Sequence, residues 1–216
     1  MIHILEQQDS PTSVYISQIR DKEIQKDSMR FRTNITRIGQ ALAMEIGKTL
    51  NYKTIETTTP LGIAKSRVIS DQIVIASILR AAIPMHQGFL NIFDNAENAF
   101  LSEYRSYNPD NTFEIKFEYM SSPSINGKTL IIADPMLATG QSIVTAINGL
   151  LQNGTPQKIH IASIIASKQG IEHIETNTQG LNIEIWTAAL DPILNAHGYI
   201  VPGLGDAGDL CFGQKL

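Results

Sequence analysis

Apolar residues recur at steps of three and four through Phe31, Ile35, Ile38, Leu42, Ile46 and Leu50. That spacing lines one face of an α-helix of several turns. Residues 53–70 then alternate weakly around Pro60-Leu61-Gly62, which predicts two short strands joined by a turn, a β-arm. From residue 71 come short segments dense in apolar residues: 71–79, 129–133, 158–166 and 183–188. Runs of this length, rich in Ile and Val, are strands buried on both faces. Alternation over 99–104 and 113–119 adds two more strands. Helical spacing returns between the runs. Met85, Phe89, Leu90 and Phe93 follow Pro84, which suits a first helical turn. Ile143, Val144, Ile147, Leu150 and Leu151 mark a second helix, and 168–175 a short third. Buried strand, helix and buried strand in repetition predict an α/β fold, a mostly parallel sheet flanked by helices on both faces. The polar, turn-rich residues 106–112 read as a loop. Residues 199–209 hold three Gly and two Asp outside the repeat, and read as a hood over the site.

Ligands of such sheets bind beyond the carboxyl ends of the strands. Arg80, Arg105 and Asp134 each follow a predicted strand, so one crevice can receive all three. The most telling stretch is 131–142, Ile-Ile-Ala-Asp-Pro-Met-Leu-Ala-Thr-Gly-Gln-Ser. A buried strand, a small-residue loop and a helix start make a phosphate site, because the first-turn N–H groups are free and carry partial positive charge. Thr139 and Ser142 add hydroxyl donors, Gly140 admits close approach, and the Asp134 carboxylate can accept from sugar hydroxyls. Phosphate beside sugar points to a phosphorylated ribose. The stretch has neither the Gly-x-x-x-x-Gly-Lys-Ser/Thr loop nor the Gly-x-Gly-x-x-Gly fingerprint. On shape alone, an ordinary strand-to-helix turn with Ser142 as its cap fits as well.

Composition narrows the partners. A chain of 216 residues with 43% hydrophobic content suits one domain spanning 1–216, with 1–25 as an N-terminal segment, 53–70 as the arm and 190–216 as the hood. The low charged fraction, 18%, hints at surface buried between subunits, hence a homodimer or higher homo-oligomer. A net charge of −4 and the lack of Lys/Arg clusters argue against nucleic-acid binding, so a phosphate site must use local arginines and amides. No run of about 18 apolar residues occurs and no signal peptide opens the chain, so the expectation is a cytoplasmic protein without membrane contact. The lone Cys211 and the spacing of His3, His86, His160, His173 and His197 predict no protein-held metal.

The string Asp134-Pro135-Met136-Leu137-Ala138-Thr139-Gly140 resembles the phosphoribosyl-diphosphate (PRPP) loop of the uracil phosphoribosyltransferases. Other segments follow in that family's order. Met29-Arg30-Phe31-Arg32 is similar to the opening of its first long helix, Ile78-Leu79-Arg80-Ala81-Ala82 to its diphosphate loop, and Tyr104-Arg105 to its second diphosphate-binding arginine. The run from Tyr199-Ile200-Val201-Pro202-Gly203 through Leu204-Gly205-Asp206-Ala207-Gly208-Asp209 resembles its uracil-binding segment. The likeness covers residue 26 to the C-terminus and departs from the family pattern at Gln141 and Ala82, where glycine is common.

The resemblance implies transfer of the phosphoribosyl group of PRPP to N1 of uracil, giving UMP and diphosphate. It implies Arg80 and Arg105 on the diphosphate, and Asp134 with Pro135, Met136, Leu137, Ala138, Thr139, Gly140, Gln141 and Ser142 around the ribose phosphate. It implies Ile200, Gly205 and Ala207 on uracil, Asp206 beside uracil and the sugar diphosphate, and catalytic parts for Asp206, Arg105 and Asp134. Mg2+ carried with PRPP and a GTP effector also follow from it. The residues leave plainer readings open: Asp134 and Asp206 as caps, Arg80 and Arg105 as strand-end surface charges, His160 as a core residue. A nucleotide-sensing RNA-binding regulator on the same fold, or an enzyme for another base, are the rival functions.

Overall fold

The computed structural model describes residues 1–107 and 113–214, and only the backbone of 103–107 and 113–118. The predicted loop at 106–112 therefore lies mostly outside the described residues. Strands are β1 (Ile2–Ile4), β2 (Tyr52–Thr59), β3 (Gly62–Ile69), β4 (Ile73–Leu79), β5 (Glu97–Tyr107), β6 (Phe113–Ser121) and β7 (Thr129–Ala133). They continue with β8 (Met136–Leu137), β9 (Lys158–Ser167), β10 (Ile183–Asp191), β11 (Ile193–Leu194) and β12 (Ile200–Val201). Helices are α1 (Pro11–Arg20), α2 (Ser28–Gly47), α3 (Ile83–Leu90), α4 (Gln141–Leu150), α5 (Lys168–Asn177) and α6 (Ala207–Phe212).

The central sheet runs β1-β10-β9-β7-β4-β5-β6, with β8 also paired to β9. Its pairings are parallel except β5 with β6, which closes the edge antiparallel. The middle strands β4, β7 and β9 are buried along nearly their whole length. That is the environment their dense apolar runs require, since helices cover both faces. One face packs against Phe31, Ile35, Ile38, Leu42 and Ile46 of α2 together with Met85 and Phe89 of α3. The other takes Ile143, Ala146, Ile147 and Leu150 of α4 and Ile171 and Ile174 of α5. Burying each large side chain contributes about 1.5–3 kcal/mol, so the five on α2 fix it without help from strong propensity. Its N-terminus is capped by Asp27, whose carboxylate accepts from the Arg30 amide at 3.1 Å.

The N-terminal segment, expected only as a segment, forms β1 on the sheet edge and α1 against α2. The predicted arm is β2 paired antiparallel with β3, and β2 is exposed throughout. Strand β5 extends beyond residue 104, because main-chain pairing with β6 continues to Tyr107↔Phe113. Arg105 thus lies inside a strand, opposite Ile115, rather than just after one. No helix among the described residues is long and apolar enough to cross a membrane.

Strand order places the site. From β4 the chain moves through α3 to β5 on one side, whereas from β7 it moves through α4 to β9 on the other. The connections leave β4 and β7 in opposite directions and open a crevice between their carboxyl ends, the topological switch point where such sheets bind ligands. Arg80 follows β4 and Asp134 follows β7.

Candidate active site

The five residues of β7 are fully enclosed, and Asp134 is the first polar side chain after them. Its amide donates to the Ala162 carbonyl (3.1 Å), and its carboxylate accepts from the Met136 amide (3.2 Å). Burial, only partly opposed by that Met136 bond, pushes the Asp134 carboxyl up to about 7. A carboxyl held so near neutrality gains from any donor that favours its charged form.

The following loop is clamped from outside. The Pro135 carbonyl accepts from the amides of Ile164 and Ile165 (3.1 and 3.0 Å). Ser167 caps α5 and donates its hydroxyl to the Ala138 carbonyl at 2.6 Å. A Cβ at Gly170 would stand 2.3 Å from that same carbonyl oxygen, so only glycine lets α5 press on the loop. Gly140 is left-handed, with φ 77°, and serves as the N-cap of α4. Ser142 is therefore not the cap; it stands in the first turn, with its amide and that of Ile143 lacking intrahelical partners. Gln141 opens the helix, so the left-handed turn falls on Gly140 and the family's second glycine is not needed. Ala82 likewise sits at φ −73°, a backbone open to any residue. Asp134, Thr139, Gly140, Ser142 and Gly198 surround a hollow of about 110 Å³ at this loop.

Beside it opens a cleft of about 300 Å³. One wall is Arg80 with Ile78, Leu79 and Ala81; the floor is Asp134, Met136, Ala138 and Ser142; the opposite wall is Ile200, Gly205, Asp206 and Ala207 with Tyr199. Pro135 and Gln141 belong to the loop but not to these walls, and Leu137 lines only the smaller hollow. The Arg105 side chain lies outside the described residues. The Arg80 guanidinium donates to the Gly213 carbonyl (3.1 Å) and approaches Asp209 at 3.4 Å, while its Nε is enclosed without a partner. Asp206 caps α6 by accepting from the Asp209 amide at 2.9 Å, the plain reading, and also lines the cleft. The hood is a hairpin of β11 and β12 followed by glycines at φ 59° (Gly203) and 93° (Gly205), so it presents main chain rather than long side chains.

Two other groups are set aside by their surroundings. Burial pushes the Cys211 thiol up to about 11, which leaves no thiolate for attack. His160 is fully buried and accepts from Trp186 Nε1 at 3.0 Å. A larger cavity, about 410 Å³, lies by β1 and α1 and is lined by Asp9 and Glu45, which repel phosphates. Sequence reasoning missed Ser167 and Gly170 as loop holders, although a serine just before a helical pattern is a cap signal. Tyr199, the first residue of the 199–209 segment, also lines the cleft, a place that its residue type alone did not indicate.

A family model described as uracil phosphoribosyltransferase matches residues 7–214. The chain belongs to the uracil phosphoribosyltransferase family. A curated protein of that name from Porphyromonas gingivalis is 52% identical over 202 residues, 94% of this chain and 93% of the relative. A solved structure of a protein from Aquifex aeolicus superposes with a TM-score of 0.86 at 29% identity, covering 100% of both chains. A hypoxanthine phosphoribosyltransferase from Staphylococcus aureus shares the fold alone, with a TM-score of 0.50 at 14% identity over 74% of each chain. The architecture is thus that of the type I phosphoribosyltransferases. The protein is an enzyme that joins uracil to the phosphoribosyl group of PRPP, giving UMP and diphosphate.

Proposed function

We propose that the cleft between the 134–142 loop and the hood is where that reaction takes place. One observation carries this reading: a half-buried acid and a helix N-terminus face a wall of glycine-rich main chain across about 300 Å³. The 5-phosphate of PRPP sits on the first-turn amides of α4 with the hydroxyls of Thr139 and Ser142, and the ribose hydroxyls donate to Asp134. Arg80 and Arg105 hold the diphosphate; Arg80 gives up its Gly213 and Asp209 contacts for a ligand of higher charge. Uracil lies against Ile200, Gly205 and Ala207, whose amides and carbonyls complement O2, N3–H and O4. Asp206 positions the base and ribose from the cap of α6.

N1 of uracil attacks the ribose C1 while diphosphate leaves from the opposite face, inverting the centre through an oxocarbenium-like state. The protein aligns the substrates, holds the departing charge and keeps water out. Among the described residues no three His, Cys, Asp or Glu cluster to hold a metal, but the Asp134 and Asp206 carboxylates suit outer contacts to an ion riding on PRPP. Bound Mg2+ would neutralise charge on the diphosphate. The chain, of net charge −4, forms one domain over 1–216 and acts on small molecules rather than nucleic acid. The exposed arm and low charge favour a homodimer or larger homo-oligomer, with GTP as a candidate effector, and the charged substrates imply the cytoplasm.

The direct test incubates the protein with labelled uracil, PRPP and Mg2+ and scores UMP. Release of UMP that stops in an Arg80→Ala variant supports this cleft; undiminished synthesis in that variant refutes it. Light-scattering mass with and without GTP reads the assembly.

A further inference from the structure

The hood is held by a segment the reaction itself does not touch. Arg20, in the last turn of α1, grips Asp191 at the end of β10 as a two-pronged fork, both N···O distances 2.8 Å. The same guanidinium donates to the Gly203 carbonyl at 3.0 Å, and the Gly203 amide donates to Asp191 at 2.8 Å. Both main-chain groups of Gly203 are thus taken. With its nitrogen facing inward, the Gln25 side-chain amide donates to the carbonyls of Ile19 (3.1 Å) and Leu204 (2.8 Å). The pair is shielded, with side-chain exposures of 21% for Arg20 and 6% for Asp191, so these bonds are stronger than surface ones. Gly203 has φ 59°, and a Cβ there would stand 2.1 Å from the Ile200 oxygen. The turn is tight, and its two ends, Ile200 and Gly205, both line the cleft.

We infer that Arg20 and Asp191 are positioning residues for base recognition: clamping Gly203, they hold the amides and carbonyls of the hood at the spacing that uracil requires. This rests on the reading of the hood as the base site. Main-chain recognition has no rotamers to adjust, so its accuracy depends on what fixes the backbone. Although Ser167 pairs with Asp191 in the sheet, the phosphate loop is held by bonds of its own, from the Ser167 hydroxyl and from the amides of β9 to Pro135, none of which involves the Arg20 fork or Gly203. Loosening the clamp therefore weakens uracil and spares PRPP.

Asp191→Asn preserves shape but turns an amide NH2 toward Arg20 or the Gly203 N–H, so two donors meet. Hydrogen bonds to charged groups at shielded sites predict about a tenfold rise in the KM for uracil and less than about a twofold change for PRPP. Arg20→Lys keeps the charge but loses the fork, and shifts the same ratio in the same direction by about threefold; it decides the matter if Asp191→Asn does not fold. Amide hydrogen exchange over residues 198–208, with and without UMP, separates the two layers of the argument. Protection by UMP in the parent protein together with a selective uracil defect in the variants supports the clamp. Protection with unchanged KM values, or with both KM values raised equally, overturns the clamp alone. No protection in the parent overturns the base-site reading and the clamp with it.

Discussion

Replacing Asp134 with asparagine is expected to make the free enzyme more stable and a worse catalyst. The Asp134 carboxyl is pushed from 3.8 to about 7 by burial. Between those values the unfolded chain carries the charge and the folded chain does not. Stability present below pH 3.8 is therefore lost as pH rises through about 7, and the loss is constant above that. At about 1.36 kcal/mol per pH unit the full gap is about 4 kcal/mol. The residue keeps some exposure to the cleft, and water there screens the charge, so about 2–4 kcal/mol is the working range. The substituted asparagine cannot ionise and still accepts from the Met136 amide. Urea unfolding of both proteins without PRPP, at several pH values from 4.5 to 8.5, reads the difference. The variant's advantage should widen up to about pH 7 and then stay flat. An advantage independent of pH would mean that Asp134 is not held protonated. Catalysis is expected to move the other way, because in the proposed site the ribose hydroxyls donate to the carboxylate. Losing charge-assisted bonds worth about 1.5–3 kcal/mol lowers kcat/KM at least about tenfold, and parental kinetics in the variant would remove Asp134 from the site.

Arg105→Ala is expected to lower turnover more than uracil affinity, since the diphosphate gains charge as it leaves; a collapse of uracil binding with turnover intact would contradict that role. Cytosine is expected to react at least about 10⁴-fold less efficiently than uracil, because a main-chain carbonyl would face its N3 lone pair and an N–H its amine, and comparable kcat/KM values would end the main-chain reading of the base. Burial, reinforced by the nearby Lys158 charge, pushes the His160 imidazole down to about 4, so its stabilising effect is full above pH 6.5 and is lost as the pH falls from there through about 4. Compared with His160→Phe, the parent should lose about 2–3 kcal/mol between pH 7 and 4.5, followed in urea by fluorescence of Trp186; equal acid sensitivity of the two proteins would show that His160 is not the titrating group.

The central strands were legible because their environment is uniform. Ile73 to Leu79 and Thr129 to Ala133 are buried on both faces, and nothing but an apolar run can fill such a strand. Strand order then carries Arg80 and Asp134 to one crevice, and the loop between Asp134 and Ser142 is local enough to read from residue types. The N-terminal segment was not legible. β1 has three residues, and α1 buries only Thr12, Ile16 and Ile19 along its length, too few for a clear period. The extent of β5 depends on pairing with β6, which no local pattern encodes, so Arg105 came out just after a strand instead of within it. Asp206 illustrates a different limit: a cap and a ligand group look alike in sequence, and this residue makes the cap while facing the cleft. The Arg80 contact with Gly213 spans 133 positions and can be seen only once the chain is folded.

The clamp on Gly203 also sets a clock on biosynthesis. Arg20 leaves the ribosome 171 positions ahead of Asp191 and 183 ahead of Gly203. At about 5–20 residues per second, helix α1 waits about 9 to 37 s for its partners. Throughout that interval its guanidinium lacks Asp191, and the nascent sheet lacks β10, the strand that β1 must join. The phosphate loop is already synthesised by then, but the wall that faces it is not. A chain still lacking residues 198–208 therefore has no wall opposite the 134–142 loop, and the proposed cleft exists only once that segment has been made.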